Sequence, residues 1–320
     1  MDAVTSPGEA GLCIAHLSDP HLTTLGGVRW HQLLNKRLLG YLSWRRRRQA
    51  EHSGEVLDAM LDDLRHTRPD HVVITGDLTH VGLPEEFREA RGWLERVGAS
   101  DRVTVIPGNH DAYVRTTWDS TWTHWQPYMQ SDPEWRPAAD GWDMFPTLRV
   151  RNGVALIGLS SAVPTAPFVA GGRLGADQRK RMAKVLRDTG ERGLFRLVLL
   201  HHPPRVEDDS RRRRLSDASA LCRILCEQGA ELVLHGHGHA NSRSTIHCAG
   251  REILSIGIPS ASYAGHKPER NAQYRLYRIV RDGERWHMRV TVRGWQAGSG
   301  RFVQQHEHHL ELPVMPSTSC

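Results

Sequence analysis

Short apolar segments recur along the chain, and each is bounded by glycine, proline or polar residues. Their content of valine, isoleucine and leucine predicts buried strands. In the stretches between them, apolar residues recur every three or four positions, which predicts amphipathic helices. Because strand and helix alternate, the fold class is predicted to be α/β. The strands are predicted at residues 11–18, 71–76, 102–108, 154–160, 195–201 and 230–236, and the helices at residues 54–66, 84–97, 176–188 and 216–228.

After residue 241 the pattern changes to an alternation of apolar and polar residues with a period of two. Such alternation predicts strands with one exposed face, and turn residues such as Asp282 and Gly283 separate the segments. The chain is therefore predicted to close with a meander of strands at residues 251–257, 273–280, 285–294 and 301–312.

No internal repeat, low-complexity linker or break in composition divides the chain. We therefore predict one domain over residues 11–312, preceded by a flexible N-terminus at residues 1–10 and followed by a tail at residues 313–320. Within the domain, residues 127–146 place tryptophans among proline, aspartate and glycine. This composition predicts an irregular surface excursion.

Cysteine usage and hydropathy indicate the cellular setting. The five cysteines are an odd number and form no Cys-x-x-Cys pair, so the sequence predicts neither a disulfide framework nor a zinc ribbon. The first residues lack a basic segment followed by a long apolar one, and no run of about 18 apolar residues occurs. We therefore predict a cytoplasmic protein in a reducing compartment, without a membrane span.

The net charge of +6 comes from 42 Lys and Arg against 36 Asp and Glu, but it is unevenly spread. Residues 20–50 contain seven Lys and Arg and no acidic residue, so this segment alone accounts for the excess of positive charge. The distribution predicts one basic patch and argues against general nucleic-acid binding.

Polar residues of a restricted type follow most of the predicted strands. In open α/β sheets, ligands bind beyond the carboxyl ends of the strands, so these loops are predicted to meet at one site. The motifs are Asp-Pro-His at residues 19–21, Gly-Asp at 76–77, Gly-Asn-His-Asp at 108–111, His-His-Pro-Pro at 201–204 and Gly-His-Gly-His at 236–239.

The predicted site combines aspartate and asparagine oxygens with imidazole and contains no thiolate. This mixture suits manganese, iron or zinc, and manganese is favoured because the ligand set is not soft. A single ion would leave several of these ligands unused, whereas a carboxylate can bridge two ions about 3.5 to 4 Å apart. We therefore predict two metal ions.

The five motifs, in this order over residues 19–239, resemble the signature of the calcineurin-like metallophosphoesterases. The resemblance implies a two-sheet sandwich flanked by helices, an αββα arrangement. It also implies that the C-terminal meander completes the second sheet and that residues 257–260 lie near the site.

The resemblance further implies that seven residues bind the two ions, with Asp77 shared between them. In this interpretation the glycines at residues 236–239 let the backbone turn tightly, so that His237 and His239 point at adjacent ions. The first ion is bound by Asp19, His21, Asp77 and His239, and the second by Asp77, Asn109, His201 and His237.

His110 resembles the family histidine that faces the scissile phosphate and protonates the leaving oxygen or stabilises charge on it. Asp111 would then orient His110 by a hydrogen bond. His202 lies next to the ligands without being one of them, and we consider it a candidate for substrate contact.

The function implied is that of a phosphodiesterase acting on a nucleotide-type phosphodiester, as cyclic-nucleotide phosphodiesterases do. Three alternatives stay open. They are a membrane-associated pyrophosphatase of the UDP-diacylglucosamine type in lipid A synthesis, a phosphomonoesterase, and a metal-stabilised binding scaffold without catalysis. Some of the lipid A enzymes carry arginine where this chain has His110, which favours the broader phosphodiesterase group.

The basic amphipathic insertion at residues 29–48 has several interpretations, which include phosphate recognition by residues 45–48 and repulsion of neighbouring molecules. Its apolar residues recur at steps of four, which predicts a helix that packs on the domain with a solvated basic end. Alternatively the helix lies on an anionic membrane surface, so that the protein is peripheral to the inner face of the membrane and reaches a lipid-linked substrate. The membrane or partner contacts would then be Trp30, Lys36, Arg37, Trp44, Arg45, Arg46, Arg47 and Arg48.

Overall fold

The computed structural model describes residues 11–22, 25–48, 51–137 and 141–313. The flexible N-terminus predicted at residues 1–10 lies outside the described residues, as do residues 314–320 of the predicted tail.

The segments predicted as buried strands form strands whose residues are buried on both faces. This burial is expected where each face of a parallel sheet is covered by another layer. Numbered in chain order, the strands of the described ranges are β1 (Leu12–Leu17), β2 (His71–Ile74), β3 (Val103–Val105), β4 (Thr147–Arg151), β5 (Val154–Gly158), β6 (Phe195–Leu199), β7 (Leu232–His235), β8 (Ser242–Cys248), β9 (Arg251–Gly257), β10 (Gln273–Asp282), β11 (Arg285–Gln296) and β12 (Arg301–Pro313).

The strands form two six-stranded mixed sheets. The first has the order β12-β11-β10-β1-β2-β3, and the second has the order β4-β5-β6-β7-β9-β8. Strands β1, β2 and β3 are parallel in the first sheet, as are β5, β6, β7 and β9 in the second. The carboxyl ends of the parallel strands therefore carry the loops in which the sequence concentrates polar residues.

The C-terminal strands extend the first sheet as well as the second. Strand β10 pairs antiparallel with β1, and β11 and β12 continue outward from it, so the expectation that the meander completes the second sheet is wrong. Only β8 and β9 join the second sheet. Both β4 and β8 lie at sheet edges and were not predicted, because half-exposed edge strands carry a weaker apolar signal.

Helices cover the outer faces of the two sheets. Pro84 starts one of them at a position where its missing N–H is tolerated, and the Glu86 carboxylate accepts a 2.9 Å hydrogen bond from the Leu83 amide at the same end. The α-helices in the described ranges are α1 (Arg37–Ser43), α2 (Gly54–Thr67), α3 (Pro84–Val97), α4 (Gln126–Met129), α5 (Ala176–Glu191) and α6 (Ala218–Gln228).

The apolar core has two parts. One includes Ile14 of β1 and Leu197 of β6 and continues to the apolar face of α2 and α3. The other lies between the second sheet and helices α5 and α6, with Val198 facing Met182 and Leu221. The layers therefore run helix, sheet, sheet, helix, which confirms the predicted α/β sandwich.

The predicted excursion at residues 127–146 contains most of α4 and two one-turn helices at Pro133–Trp135 and Gly141–Met144. Residues 138–140 of this stretch lie outside the described residues.

The insertion at residues 29–48 is not one continuous helix. A one-turn helix at Trp30–Leu33 precedes α1, and a π-helical segment at Trp44–Arg48 follows it. Trp44 is only 4% exposed because it packs in a small apolar cluster with Leu25. The predicted membrane contact of Trp44 is therefore wrong.

Two of the basic residues in the insertion form hydrogen bonds with the rest of the domain. The Lys36 ammonium donates a 2.8 Å hydrogen bond to Thr165 Oγ1, and the Arg37 guanidinium donates to the carbonyl oxygens of Val81 and Gly82 at 3.1 and 2.6 Å. These side chains attach the insertion to the domain. The prediction that Lys36 and Arg37 contact a membrane is corrected accordingly.

The insertion nevertheless leaves large apolar side chains in solvent, next to the exposed Arg45 and Arg46. The side chains of Arg47 and Arg48 are not among those described. The exposed apolar residues are Trp30 at 74%, Leu34 at 71%, Leu38 at 46%, Leu39 at 38% and Leu42 at 37%.

Cys226 of α6 and Cys248 of β8 form a disulfide, with Cα atoms 5.2 Å apart. This disulfide was not predicted, and it is unexpected in the reducing compartment that the cysteine usage indicated. The two residues are 22 positions apart in sequence, and the packing of α6 on β8 brings them together. Spacing along the chain gave no signal for this pair.

Within the described ranges, none of the helices has the length and hydropathy that crossing a membrane requires.

Candidate active site and metal centre

The polar loops that follow β1, β2, β3, β6 and β7 meet at one edge of the sandwich. The loops after β2, β3 and β7 border a cavity of about 370 Å³ that we call the catalytic cavity. Five of the predicted residues line it directly, and further predicted ligands lie buried behind them. The lining residues that were predicted are Asp77, Asn109, His110, His237 and His239.

The four side chains predicted for the first metal ion lie together. One ligand atom from each of Asp19, His21, Asp77 and His239 lies within 4.8 Å of the others. His239 Nε2 is 3.0 Å from Asp19 Oδ1. His21 Nδ1 donates a 3.0 Å hydrogen bond to the Thr79 carbonyl, which leaves Nε2 as the nitrogen available to a metal.

The second predicted ligand set centres on His201. Its Nε2 lies 3.4 Å from Asp77 Oδ2 and 3.1 Å from Asn109 Oδ1. Its Nδ1 donates a 2.7 Å hydrogen bond to the Thr75 carbonyl, which fixes the ring orientation. The His237 ring lies beside it, with 5.1 Å between ring centroids. Asp77 is therefore within reach of both sets, as a bridging carboxylate must be.

Two buried atoms in these sets indicate that the residues fit metal ions. Asp19 Oδ1 and His237 Nε2 are buried and make no regular hydrogen bond, although His239 Nε2 lies 3.0 Å from the first and Asp209 Oδ2 lies 3.2 Å from the second. Buried polar atoms without a regular hydrogen bond cost about 1 to 3 kcal/mol each unless another group satisfies them. Burial and the neighbouring His202 and His201 hold the pKa of His237 well below its usual value, so the imidazole is neutral. Neutral imidazole is the form that binds metals.

Burial alone would raise the pKa of Asp77, but His201 and His110 hold the pKa of this carboxyl well below its usual range. In turn, the Asp77 carboxylate raises the pKa of His201 to about 9 despite burial of the ring. Asp77 is therefore ionised at neutral pH, and carboxylate oxygen together with imidazole nitrogen suits manganese, iron or zinc.

The ligand residues themselves adopt the left-handed backbone region, which corrects the role predicted for the glycines at residues 236–239. Gly236 is needed for close approach instead, since a Cβ there would lie 2.5 Å from Asp19 Oδ2. The φ angles are 51° at Asp19, 44° at His21, 57° at Asp77, 66° at His237 and 48° at His239.

His110 lines the catalytic cavity beside the first ligand set, with 5.1 Å between its ring centroid and that of His21. Its Nδ1 donates a 2.6 Å hydrogen bond to the His80 carbonyl, and its backbone amide donates to Asp77 Oδ1 at 2.7 Å. Because a carbonyl oxygen only accepts, Nδ1 keeps its proton. Nε2 is therefore the nitrogen that exchanges a proton with a molecule in the cavity.

Asp111 does not orient His110 by a hydrogen bond between their side chains, contrary to the prediction. Its Oδ2 accepts hydrogen bonds of 2.9 Å from the Asp77 and Gly108 amides, and its Oδ1 accepts from the Thr79 amide at 2.9 Å. The buried carboxylate therefore joins the loops after β2 and β3. It holds the backbone that positions Asp77, and the His80 carbonyl orients His110.

His202 does not fit the predicted substrate contact. The ring is fully buried, with Nδ1 2.7 Å from Ser161 Oγ and Nε2 3.1 Å from the Ala170 carbonyl. Burial and the neighbouring His201 lower the pKa of His202 to about 3, so the ring is neutral. Both ring nitrogens therefore already have hydrogen-bond partners. These contacts join His202, which follows β6, to the loop after β5.

Four residues near the predicted ligands were not predicted. His52 lies near His21 and His239 and is 2.6 Å from Ser262 Oγ through Nδ1. Arg213 lines the catalytic cavity and donates a 2.9 Å hydrogen bond to the His237 carbonyl. The four are His52, Asp209, Arg213 and Arg270.

A signal for one of the unpredicted residues is present in the sequence. Arg213 belongs to a second run of four arginines at residues 211–214, which follows the His-His-Pro-Pro motif by a few positions. His52 and Arg270 lie in loops without a distinguishing pattern, so only the fold brings them to the cavity. By contrast, the predicted proximity of residues 257–260 is observed, because Ser260 Oγ donates a 2.6 Å hydrogen bond to the Asp19 carbonyl.

Two curated proteins match this chain over most of its length. A probable cyclic nucleotide phosphodiesterase of Synechococcus sp. is 27% identical over 236 residues, which cover 72% of this chain and 80% of that protein. A cAMP/cGMP dual specificity phosphodiesterase of Mycobacterium tuberculosis is 28% identical over 254 residues, which cover 77% of this chain. The match spans 64% of the mycobacterial protein, slightly less than two thirds.

The fold also matches a solved structure. A dimetal phosphatase from Danio rerio superposes with a TM-score of 0.59 at 12% identity, over 96% of this chain and all of that one. At this identity the match supports the fold alone.

The family model for calcineurin-like phosphoesterases matches residues 13–241, which include all five motifs and both ligand sets. This range covers more than half of the chain and agrees with the geometry of the catalytic cavity. The chain therefore belongs to the calcineurin-like phosphoesterase family, and it is a metal-dependent phosphoester hydrolase.

Proposed function

We propose that this protein is a binuclear phosphodiesterase that hydrolyses a small nucleotide-type phosphodiester, with manganese as the favoured metal. The observation that carries the proposal is the position of His110, whose ring lies beside two ligand sets joined by Asp77. Relatives named as cyclic nucleotide phosphodiesterases support this substrate class.

The side chains divide the chemistry among them. Two metal ions, when bound, supply a nucleophile at neutral pH and neutralise charge on the phosphoryl oxygens. His110 protonates the leaving oxygen from Nε2, while Nδ1 keeps its proton and donates a hydrogen bond to the His80 carbonyl. Arg213 and Arg270 add positive charge to the wall of the cavity, which favours an anionic substrate.

The alternatives differ in what they require of this site. A binding scaffold needs neither a complete ligand set nor His110, and both are present. A phosphomonoesterase would use the same residues on a dianionic substrate, so the preference between monoester and diester has to be measured.

The experiment is hydrolysis of bis-nitrophenyl phosphate, mono-nitrophenyl phosphate and cyclic AMP by protein treated with a chelator and then supplied with metal. We expect the chelated protein to be inactive, manganese to restore activity best, and both diesters to be cleaved faster than the monoester. Faster cleavage of the monoester would favour a phosphomonoesterase. Failure to cleave any of the three with every metal tested would favour the scaffold.

We further propose that the insertion at residues 29–48 attaches the protein to an anionic membrane surface. Trp30 and Leu34 are about three quarters exposed, and the exposed Arg45 and Arg46 follow in the same segment. Exposed aromatic and aliphatic side chains next to arginines favour a headgroup region with anionic lipid. Ser43, at the end of α1, lines the catalytic cavity, so a bilayer at this segment would border the site. This arrangement would also suit a lipid-linked diphosphate substrate.

Liposome flotation tests the membrane proposal. We expect the protein to float with vesicles containing anionic phosphatidylglycerol at low salt, and the double variant Trp30→Glu, Leu34→Glu to lose most of this binding. The double variant Trp142→Glu, Phe168→Glu is the control, because it places the same two charges at exposed aromatic residues outside the insertion. If wild-type protein ignores the vesicles, or if the control variant weakens binding equally, the insertion does not bind the membrane.

A further inference from the structure

A second cavity, of about 510 Å³, lies beside the loop that carries His110. Its lining includes residues that follow the Gly-Asn-His-Asp motif, beginning with Ala112. The loop after β5 and the start of α5 also contribute. It shares no lining residue with the catalytic cavity. Its volume is typical of sites that bind small molecules. We call it the tryptophan cavity.

One end of the tryptophan cavity is suited to an anion. Helix α5 begins there without a side-chain cap at Gly175, and the first N–H groups of a helix have no partner within it. Arg115 and Arg173 line the same cavity, are exposed, and make no side-chain hydrogen bond or ion pair to other described residues. Three carboxylates lie nearby. Asp177, in the first turn of α5, offsets one of these two charges, and Asp143 pairs with Arg181, which also lines the cavity, at 3.7 Å. Asp217 accepts hydrogen bonds from the Leu174 and Gly175 amides and pairs with Arg179, so the N–H groups left for a ligand are those of residues 176–178.

A buried polar atom also lacks a partner at this end. Ser160 is only 6% exposed and lines the tryptophan cavity, yet its Oγ makes no hydrogen bond within the described structure. The Ser160 backbone amide donates a 2.8 Å hydrogen bond to Gln178 Oε1 in the first turn of α5, which fixes Ser160 beside the start of this helix. The Ser160 hydroxyl therefore lies at the wall of the tryptophan cavity without a hydrogen-bond partner among the described residues.

The other end of the tryptophan cavity is aromatic. Trp142 is 43% exposed, and its indole packs edge to face against the buried Trp122 at 4.6 Å and against Trp118 at 5.4 Å between ring centroids. These contacts hold the indole in place and leave part of it open to the cavity. An exposed and supported indole is a good stacking surface for an aromatic base.

We propose that the tryptophan cavity binds a nucleoside monophosphate, with its phosphate at the start of α5 and its base against Trp142. Arg173 and Ser160 bind the phosphate oxygens, together with the first N–H groups of the helix. Because this cavity is separate from the catalytic one, binding there requires neither the metal ions nor His110.

Calorimetric titration with AMP tests this site in the Asp77→Asn variant kept in chelator, which removes metal-dependent binding in the catalytic cavity. We expect saturable binding of AMP that Arg173→Glu weakens about tenfold or more, through loss of a charge-assisted hydrogen bond and reversal of the charge. Trp142→Ala should weaken it about fivefold or more, through loss of stacking. Arg187→Glu, on an exposed position of α5 outside the cavity, is the matched control and should change affinity less than twofold.

Circular dichroism of each variant confirms that it is folded before its affinity is compared. Absence of AMP binding, or equal losses in Arg173→Glu and Arg187→Glu, would overturn the site. If inorganic phosphate binds as tightly as AMP and Trp142→Ala has no effect, the cavity binds an anion but no nucleotide, and the proposal is wrong.

Discussion

Replacing Asp77 with asparagine is expected to remove metal from both ligand sets and to lower phosphodiester hydrolysis by more than about 10³-fold. Loss of a single electrostatic group commonly costs 10² to 10³ in rate, and Asp77 is within reach of both sets, so its loss should exceed that range. Asparagine tolerates the left-handed backbone that Asp77 adopts at φ 57°, and its amide oxygen can still accept the hydrogen bond from the His110 amide. The fold should therefore survive the substitution.

Elemental analysis of the purified variant measures metal content, and hydrolysis of bis-nitrophenyl phosphate measures activity. Asp132→Asn is the matched control, because that carboxylate pairs with Arg151 and lines neither of the two cavities described above. The control should keep metal and activity. An Asp77→Asn protein with two metal ions and near-normal turnover would disprove the bridging assignment.

Replacing His110 with alanine is expected to lower turnover by about 10²-fold or more while both metal ions stay bound. The hydrogen bond from His110 to Asp77 comes from the backbone amide, which alanine retains. The leaving group then distinguishes between two roles. Nitrophenolate leaves without help, so if His110 donates a proton, the loss should be larger for cyclic AMP than for bis-nitrophenyl phosphate. An equal loss for both substrates indicates stabilisation of charge instead.

His247→Ala provides the comparison for this variant, because His247 is exposed on β8 and pairs only with Glu252 at the surface. It should behave as wild type. Unchanged turnover in His110→Ala, with both substrates, would remove His110 from the mechanism.

The ligand sets could be predicted because each ligand directly follows a buried strand. Asp77, for example, comes three residues after the last residue of β2, and His201 two residues after β6. When parallel strands end at one edge of a sheet, short motifs at their ends have to meet. Local sequence therefore carried nearly all of the information about which side chains converge.

The roles of the supporting residues depend on distances that local sequence does not encode. Asp111 is next to His110 in the chain, but its carboxylate accepts hydrogen bonds from Asp77, Thr79 and Gly108 amides and none from the neighbouring ring. His202 is next to a ligand and its ring packs against His237 at 4.5 Å between centroids, but its two nitrogens lie at hydrogen-bond distance from Ser161 Oγ and the Ala170 carbonyl. Adjacency in sequence is a poor guide to contact where the backbone turns sharply.

The insertion at residues 29–48 shows a second limit of prediction from sequence. A step of four residues predicts a helix and one apolar face, but it does not say whether that face is covered. In the structure Leu33 and Trp44 are buried, whereas Trp30 and Leu34 are not. Burial is decided by the neighbouring loops, whose positions depend on the whole fold.

The left-handed backbone of five predicted metal ligands lowers the stability of the fold at the residues that we propose for metal binding. Each such residue, other than glycine, costs about 1 to 3 kcal/mol, and Asp19, His21, Asp77, His237 and His239 all adopt this conformation. A descendant that no longer needed metal would gain stability by replacing these residues with glycine. Selection for hydrolysis therefore keeps in place a group of residues that selection for stability alone would remove.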